Sequence, residues 1–407
     1  MGDFDQQLEA DLAQIESHGL RRRLRLSESP QSAHLRFEGQ DVLNFSSNDY
    51  LGLADHPQLK AAAIRAVERF GAGSGASRLL SGSLAPHDAL EQALAEFKGT
   101  EAALSFSSGY ATALGTIPAL VGASDIVILD RLVHACIVDG ARLSGAKLRV
   151  FAHNDLNDLE RILQWAQSAR SAHPPAPARR VLIATESVFS MDGDLAPLRE
   201  LADLKDKYRA WLMLDEAHAT GLYGAGRRGL AEALGVSDRI EIQMGTLGKA
   251  LGAAGGYICG SRSLVDLLIN RARSFVFSTA PVPAASAAAH AGLALIRSEV
   301  GRQRCELLWA RVREFRAAGC AGVRAGDAAS GSVAPAPIIP IPVGDARAAV
   351  ELSFRLLQQG MYIPAIRYPT VARGKARLRL SLTASHTQEE VTRAVAALQS
   401  LSLGLAH

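Results

Sequence analysis

The chain has 407 residues, with 44 Lys and Arg against 41 Asp and Glu for a net charge of +3; 48% is hydrophobic and 21% charged. So even a balance excludes the basic field that nucleic acid demands, and the composition is that of a globular protein long enough for two or three domains. The 36 glycines exceed the usual share and stand beside Ser, Thr, Asp and His, the pattern of tight turns around a site.

The opening MGDFDQQLEADL is acidic and polar, without the apolar core of a secretory leader, and Asp3 and Phe4 give Gly2 no acylation context. No uncharged apolar run reaches the length of about 20 residues that a membrane span requires. The Ala-rich run near 280–295 is interrupted by Pro281, Pro283 and His290 and reads as a buried helix. Cys136, Cys259, Cys305 and Cys320 form neither a CxxC pair nor a zinc pattern, so reduced, buried thiols, no metal and a cytoplasmic protein are expected.

Residues 3–26 read as a helix with an arginine-rich exit, Arg21-Arg22-Arg23-Leu24-Arg25, which is a solvated face or a clamp for an anionic substrate. VLNFS at 42–46 is a short strand. Helices follow at 57–70 and 84–97, where apolar residues recur at three- and four-residue spacing. Apolar strand runs then alternate with helices: ALSFSS at 103–108, DIVILD at 125–130, KLRVFA at 147–152, VLIATES at 181–187, WLMLDEA at 211–217, IEIQMGTLG before Lys249, and GGYICG at 255–260. Buried strands separated by helices predict an α/β fold with a mainly parallel sheet, covered on both faces, whose ligands sit at the carboxyl ends of the strands. SARSAHPPAPARR at 168–180 reads as a solvent loop. A helical stretch over 284–318 leads into a smaller α+β region whose last helix is capped by Thr387 with Glu390 three residues on.

The strongest local signal is WLMLDEAHATGLYGAGRRG, 211–229. A hydrophobic strand delivers Asp215 to its carboxyl end, with His218 three residues later. A buried carboxylate there suits a protonated ring nitrogen, or simply caps a turn. The letters DEAH also occur in helicases, but those need a GxxxxGK[ST] loop; GTLGKALG has the wrong glycine spacing and Ala250 in place of the hydroxyl. MGTLGKALGAAGG, 244–256, puts Lys249 among small residues that admit a planar ring, and a partly desolvated lysine suits Schiff-base chemistry. Thr246 just before it suits a phosphate. FSSGYATALG, 106–115, opens a helix where Ser108, Gly109 and Tyr110 offer backbone N–H groups to an anion. His134 follows a strand end and is a ring-stacking candidate. Glu186 and Ser190 lie near another strand end, Ser278 and Thr279 form a hydroxyl pair before a helix, and Arg367 lies on a Pro-flanked loop suited to a carboxylate. GAGSGASRLLSG, 71–82, fits GxGxxA, but a helix precedes it rather than a strand. It reads as a glycine-rich loop against a ligand or partner subunit.

In order and over almost the whole chain, NFSSNDYLGL, GSGASRLLSG, DEAHATG, TLGKALG and RLRLSLTASHT resemble the α-oxoamine synthases. The resemblance implies fold type I of the PLP-dependent transferases, with an N-terminal segment 1–45, a large PLP-binding domain 46–290 and a small C-terminal α+β domain 291–407. It implies pyridoxal 5'-phosphate on Lys249, Asp215 at the ring nitrogen, His218 near the ring phenol, His134 stacked on the ring and Ser190 near a cofactor oxygen. Ser108, Gly109, Tyr110 and Thr246 would hold the phosphate side, with Ser278 and Thr279 reaching across from the other subunit of a homodimer with shared sites. Arg21, Asn48 and Arg367 would belong to the substrate side, Arg367 to a carboxylate. FAHNDL and PAIRYPTVARGKARLRLSLTA are similar to the members that condense L-alanine with pimeloyl-CoA in biotin synthesis. Glycine with acetyl-CoA, as in glycine C-acetyltransferase, and a noncatalytic partner subunit are the alternatives; Lys249 argues against the second.

Overall fold

The computed structural model describes residues 2–172, 179–319 and 336–402. A seven-stranded sheet organises the centre. Its strands lie in the order Ala102–Phe106, Gly256–Gly260, Ile242–Thr246, Trp211–Asp215, Val181–Glu186, Ile126–Asp130 and Lys147–Phe151. The last five run parallel, while Gly256–Gly260 is antiparallel to both its neighbours. The runs IVILD and VLIATE are buried at every position. Helices cover both faces of these strands, so continuous apolar runs, not alternating ones, are what the sheet requires. The parallel strands end together, and their carboxyl ends carry Asp130, Glu186, Asp215 and Thr246 to one edge.

A second sheet pairs Ile338–Gly344, Ala376–Ser381 and Ala365–Ile366 antiparallel. The N-terminal hairpin His34–Phe37/Gln40–Asn44 pairs in parallel with Met361–Tyr362, which ties the start of the chain to its C-terminal region. The N-terminal helix is Asp3–Ser17, so the arginine run at 21–25 leaves it as non-helical chain. The stretch at 284–318 is two helices, Pro283–Arg297 and Glu299–Ala317, broken at Ser298. The expected loop at 168–180 begins as helix, which runs to Ala172; 173–178 lie outside the described residues. Thr387 and Glu390 exchange their hydrogen bonds as a capping box. Cys136, Cys259 and Cys305 are buried and free, and Cys320 lies outside the described residues. Among the described residues no helix is long and apolar enough to cross a membrane.

His386 fastens the two ends of the chain. It stacks on Phe45 at 4.5 Å, its Nε2 lies 3.1 Å from the Asn44 carbonyl, and its Nδ1 accepts from the Thr383 N–H at 3.0 Å. Protonating Nδ1 would set two N–H groups against each other, and burial lowers its pKa to about 4. The unfolded chain, with histidine near 6.5, therefore binds the proton first, and stability falls as pH drops from about 6.5 toward 4. Acid unfolding followed by circular dichroism is expected to show this loss, and His386→Phe to flatten it.

Candidate active site

Asp215 ends its strand buried, and its Oδ1 accepts from the Ala217 N–H at 2.9 Å. The chain turns there, and Lys249, three residues past the neighbouring strand Ile242–Thr246, comes back toward it. Lys249 Nζ lies 2.7 Å from His218 Nε2, and His218 Nδ1 lies 2.6 Å from the Tyr50 hydroxyl. Tyr50 donates to Asn48 Oδ1 at 3.2 Å, and the same oxygen accepts from Arg379 Nη2 at 3.1 Å. The donor order is thereby set. Tyr50 gives its proton to Asn48 and receives from His218 Nδ1–H, which leaves Nε2 to accept from Lys249. Burial, with Lys249 and Arg379 nearby, holds His218 well below its ordinary pKa and keeps it neutral.

The charged groups of this cluster act on one another. Burial lowers the Lys249 amine to about 8 against the pull of Asp215 and Glu186. Burial raises both carboxyls, Glu186 to about 8 with Asp215 adding repulsion. Glu186 Oε1 also accepts the backbone N–H of His134 at 2.5 Å, which fixes the start of the next helix. His134 is the N-cap of helix Ala135–Leu143 and stands exposed beside this cluster. Glu216, adjacent to Asp215, turns to the other side of the strand. There it meets Lys98 at 2.5 Å in an ion pair with both side chains 1% exposed, and accepts from the Ala231 N–H at 3.0 Å.

Ser108 caps helix Gly109–Leu120, its Oγ accepting from Ala111 N–H at 3.0 Å. The N–H groups of Gly109 and Tyr110, in the first turn, have no acceptor within the helix and carry its positive end. Thr246 borders this turn, since a Cβ on Gly109 would stand 3.8 Å from Thr246 Oγ1. The helix start is seated on Gly256: a Cβ there would come within 2.7 Å of Gly109 N and 2.4 Å of Thr112 Oγ1. Glycine at 256 is what lets the helix end come down beside the strand edge. The cradle of backbone donors, the buried carboxylate of Asp215 and the buried amine of Lys249 fit PLP: an anion site, a partner for a ring nitrogen, and a nucleophile for an aldehyde.

The structure brings together Lys249, Asp215, His218, His134, Glu186, Ser190 and Asn48. Ser190 is buried, and its carbonyl accepts from Arg379 Nε at 2.7 Å. Tyr110 is exposed, and its hydroxyl bonds Asp139. Thr246 Oγ1 donates to the Gly255 carbonyl at 3.0 Å and accepts from Gly248 N–H. Ser278 and Thr279 lie on a different segment, bridged through Thr279 to Ser77 of the glycine-rich loop. Arg21 pairs with Glu16, and Arg367 donates to the carbonyls of Gly19 and Arg21. Arg367 thus straps the N-terminal segment to the C-terminal region.

Arg379, not anticipated from the sequence, lies near enough to Lys249 and His218 for its charge to act on both. It is 4% exposed, with Nε on the Ser190 carbonyl, Nη1 on Ser381 Oγ and Nη2 on Asn48, and none of these acceptors is ionised. A buried guanidinium without a carboxylate is costly unless a ligand supplies one. The available signal was RLRLS, a short strand in which Arg377 and Arg379 alternate with Leu378 and Leu380. Arg379→Lys keeps the charge and loses the planar fork. The kcat/KM for the amino acid is expected to fall about 100-fold, mostly through KM. Steady-state kinetics with varied amino acid checks this, and an unchanged KM would remove Arg379 from the substrate site.

The family model for class I and II aminotransferases matches residues 40–398. The 8-amino-7-oxononanoate synthase of Geobacter sulfurreducens is 50% identical over 388 residues, covering 95% of this chain and 96% of that one. A serine palmitoyltransferase from S. paucimobilis with a bound PLP–myriocin aldimine superposes with a TM-score of 0.88 at 29% identity, covering 98% of both chains. The 8-amino-7-oxononanoate synthase of Francisella tularensis does so with a TM-score of 0.73 at 26% identity, covering 90% of this chain and 99% of that one. With the Lys249 cluster and the anion cradle in place, the chain belongs to the class I and II aminotransferase family and, within it, to the PLP-dependent α-oxoamine synthases.

Proposed function

We propose that the chain condenses L-alanine with pimeloyl-CoA, releasing CoA and carbon dioxide, to make 8-amino-7-oxononanoate for biotin synthesis. The observation that carries the reading is the hydrogen-bonded run Lys249–His218–Tyr50–Asn48–Arg379, which joins a cofactor lysine to a carboxylate-binding arginine. PLP, when bound, supplies a conjugated ring that takes up the electron pair left at the amino-acid α-carbon. Lys249 would hold it through its amine, a nucleophile near neutral pH because burial lowers its pKa to about 8. Asp215 would hold the ring nitrogen in its protonated form, and the first turn of helix Gly109–Leu120 the phosphate. Arg379 takes the alanine carboxylate and keeps it in place until the new carbon–carbon bond is made. Before that bond forms, the Lys249 amine, set free when the alanine amine takes its place, removes the proton at the alanine Cα, with His218 Nε2 orienting it. Glu186 fixes His134 through the backbone, so that the imidazole would be held to cover one face of the ring.

The far carboxylate of the pimeloyl chain is assigned to the Arg21–Arg25 cluster. Arg367 bonds the Arg21 carbonyl at 2.9 Å and Arg22 the Tyr368 carbonyl at 3.1 Å, so this cluster is docked against the C-terminal region. The working unit is a homodimer. Leu79 and Leu80, 50% and 80% exposed, and Phe277 and Val282, 71% and 45% exposed, lie on two segments pinned together by the Ser77–Thr279 bridge and a Ser74–Pro281 bond of 2.6 Å. An apolar edge of this kind fits a second subunit, which Ser278 and Thr279 would enter. The compartment is assigned as the cytoplasm, in keeping with the buried free thiols.

Free CoA release is the test. Alanine, glycine and serine are offered against pimeloyl-, acetyl-, succinyl- and palmitoyl-CoA, and the highest kcat/KM is expected for alanine with pimeloyl-CoA. Preference for another pair would overturn the substrate assignment and leave the family standing.

A further inference from the structure

His153 lies just past strand Lys147–Phe151, outside the groups assigned above. Its Nδ1 is 2.9 Å from Asp130 Oδ1 and its Nε2 is 2.6 Å from Asp194 Oδ2. A neutral imidazole has one N–H and would set a lone pair against one of these carboxylates; only the imidazolium donates to both. Burial opposes the charge, yet the two acids raise its pKa to about 10. Asp130 is fully buried, and Asp194 Oδ1 is buried with no hydrogen-bond partner of its own. The ring also meets Phe189 edge-on at 4.4 Å.

The two acids belong to different arms of the site. Asp130 Oδ1 accepts from Leu132 N–H at 2.8 Å and so shapes the turn that presents His134. Asp194 closes the loop that presents Ser190: the Phe189 N–H donates to its carbonyl at 3.0 Å, and Val188 bridges Leu195. Asn154 repeats the link beside His153, its N–H on Asp130 at 2.9 Å and its amide on Asp194 and the Leu195 carbonyl at 3.2 Å each. We propose that His153, as a cation bridging Asp130 and Asp194, is a positioning residue that fixes the His134 turn against the Ser190 loop and thereby sets the seat of the cofactor ring. This rests on the PLP reading above.

The test titrates the full-length protein with PLP and follows the visible absorption and visible circular dichroism of the bound cofactor, with far-UV circular dichroism and thermal unfolding as controls. Folded His153→Gln and Asp194→Asn are each expected to bind PLP about tenfold or more weaker, with an altered visible dichroism, because a small displacement of supporting groups is amplified at the site. In the double variant the Gln amide faces Asp130 and its carbonyl faces the new Asn amide, so part of the affinity returns. Unchanged affinity and dichroism in either folded variant, or a double variant whose losses simply add, would overturn the role. Asp194 is 33% exposed, so Asp194→Asn decides the matter if His153→Gln does not fold. A wild type that binds no PLP would sink the functional reading and this one with it; wild type and variants binding alike would sink only the positioning role.

Discussion

Lys249→Ala is expected to lower kcat by about 10⁴-fold or more, the upper range for a group that moves a proton in the transition state, since its covalent role is lost as well. The same variant should lose the visible band of covalently held PLP while still binding the cofactor through the helix cradle and Asp215. Absorption spectra and single-turnover CoA release read these two effects separately. Activity retained within tenfold, or a visible band that survives, would show that another amine carries the chemistry.

Asp215→Asn tests the other pole of the site. An amide occupies nearly the same space and can keep the 2.9 Å bond from Ala217 N–H, so the turn should stand. What disappears is the negative charge that holds a proton on the ring nitrogen. Losing a charge-assisted hydrogen bond of about 3 kcal/mol predicts roughly a 100-fold fall in kcat. The Lys249 amine also loses the acid that most favours its charged form, so its pKa should move further down from about 8. The pH dependence of PLP capture by the variant is expected to shift to lower pH accordingly. A variant with wild-type kcat would detach Asp215 from the ring nitrogen.

The sheet was readable because its strands are buried on both faces and appear as unbroken apolar runs, so the ends of those runs pointed to Glu186, Asp215 and Lys249. Loops and tertiary partners were less legible. Asn48 was anticipated from its motif, yet its neighbour Tyr50 joins the site only through a hydrogen bond to His218, a residue far away in the chain. Arg367 and Arg379 look alike in one dimension. Packing alone separates them: Arg367 meets N-terminal carbonyls, while Arg379 stays in the interior beside Ser190. The break at Ser298 was hidden because helical periodicity runs on both sides of it. The antiparallel course of Gly256–Gly260 carries no compositional mark at all, since it too is buried throughout.

The Lys98–Glu216 pair has a consequence for chain alignment. Asp215 and Glu216 are consecutive acids on opposite sides of one strand, and a slip by a single residue would exchange them. A slipped strand would leave Lys98 facing a shorter side chain, a broken buried pair costing about 3–5 kcal/mol. The ion pair therefore works as a register pin. It lets a site with two neighbouring acids tell them apart, so that a one-residue deletion in Trp211–Asp215 is punished in folding before it is ever tried in catalysis.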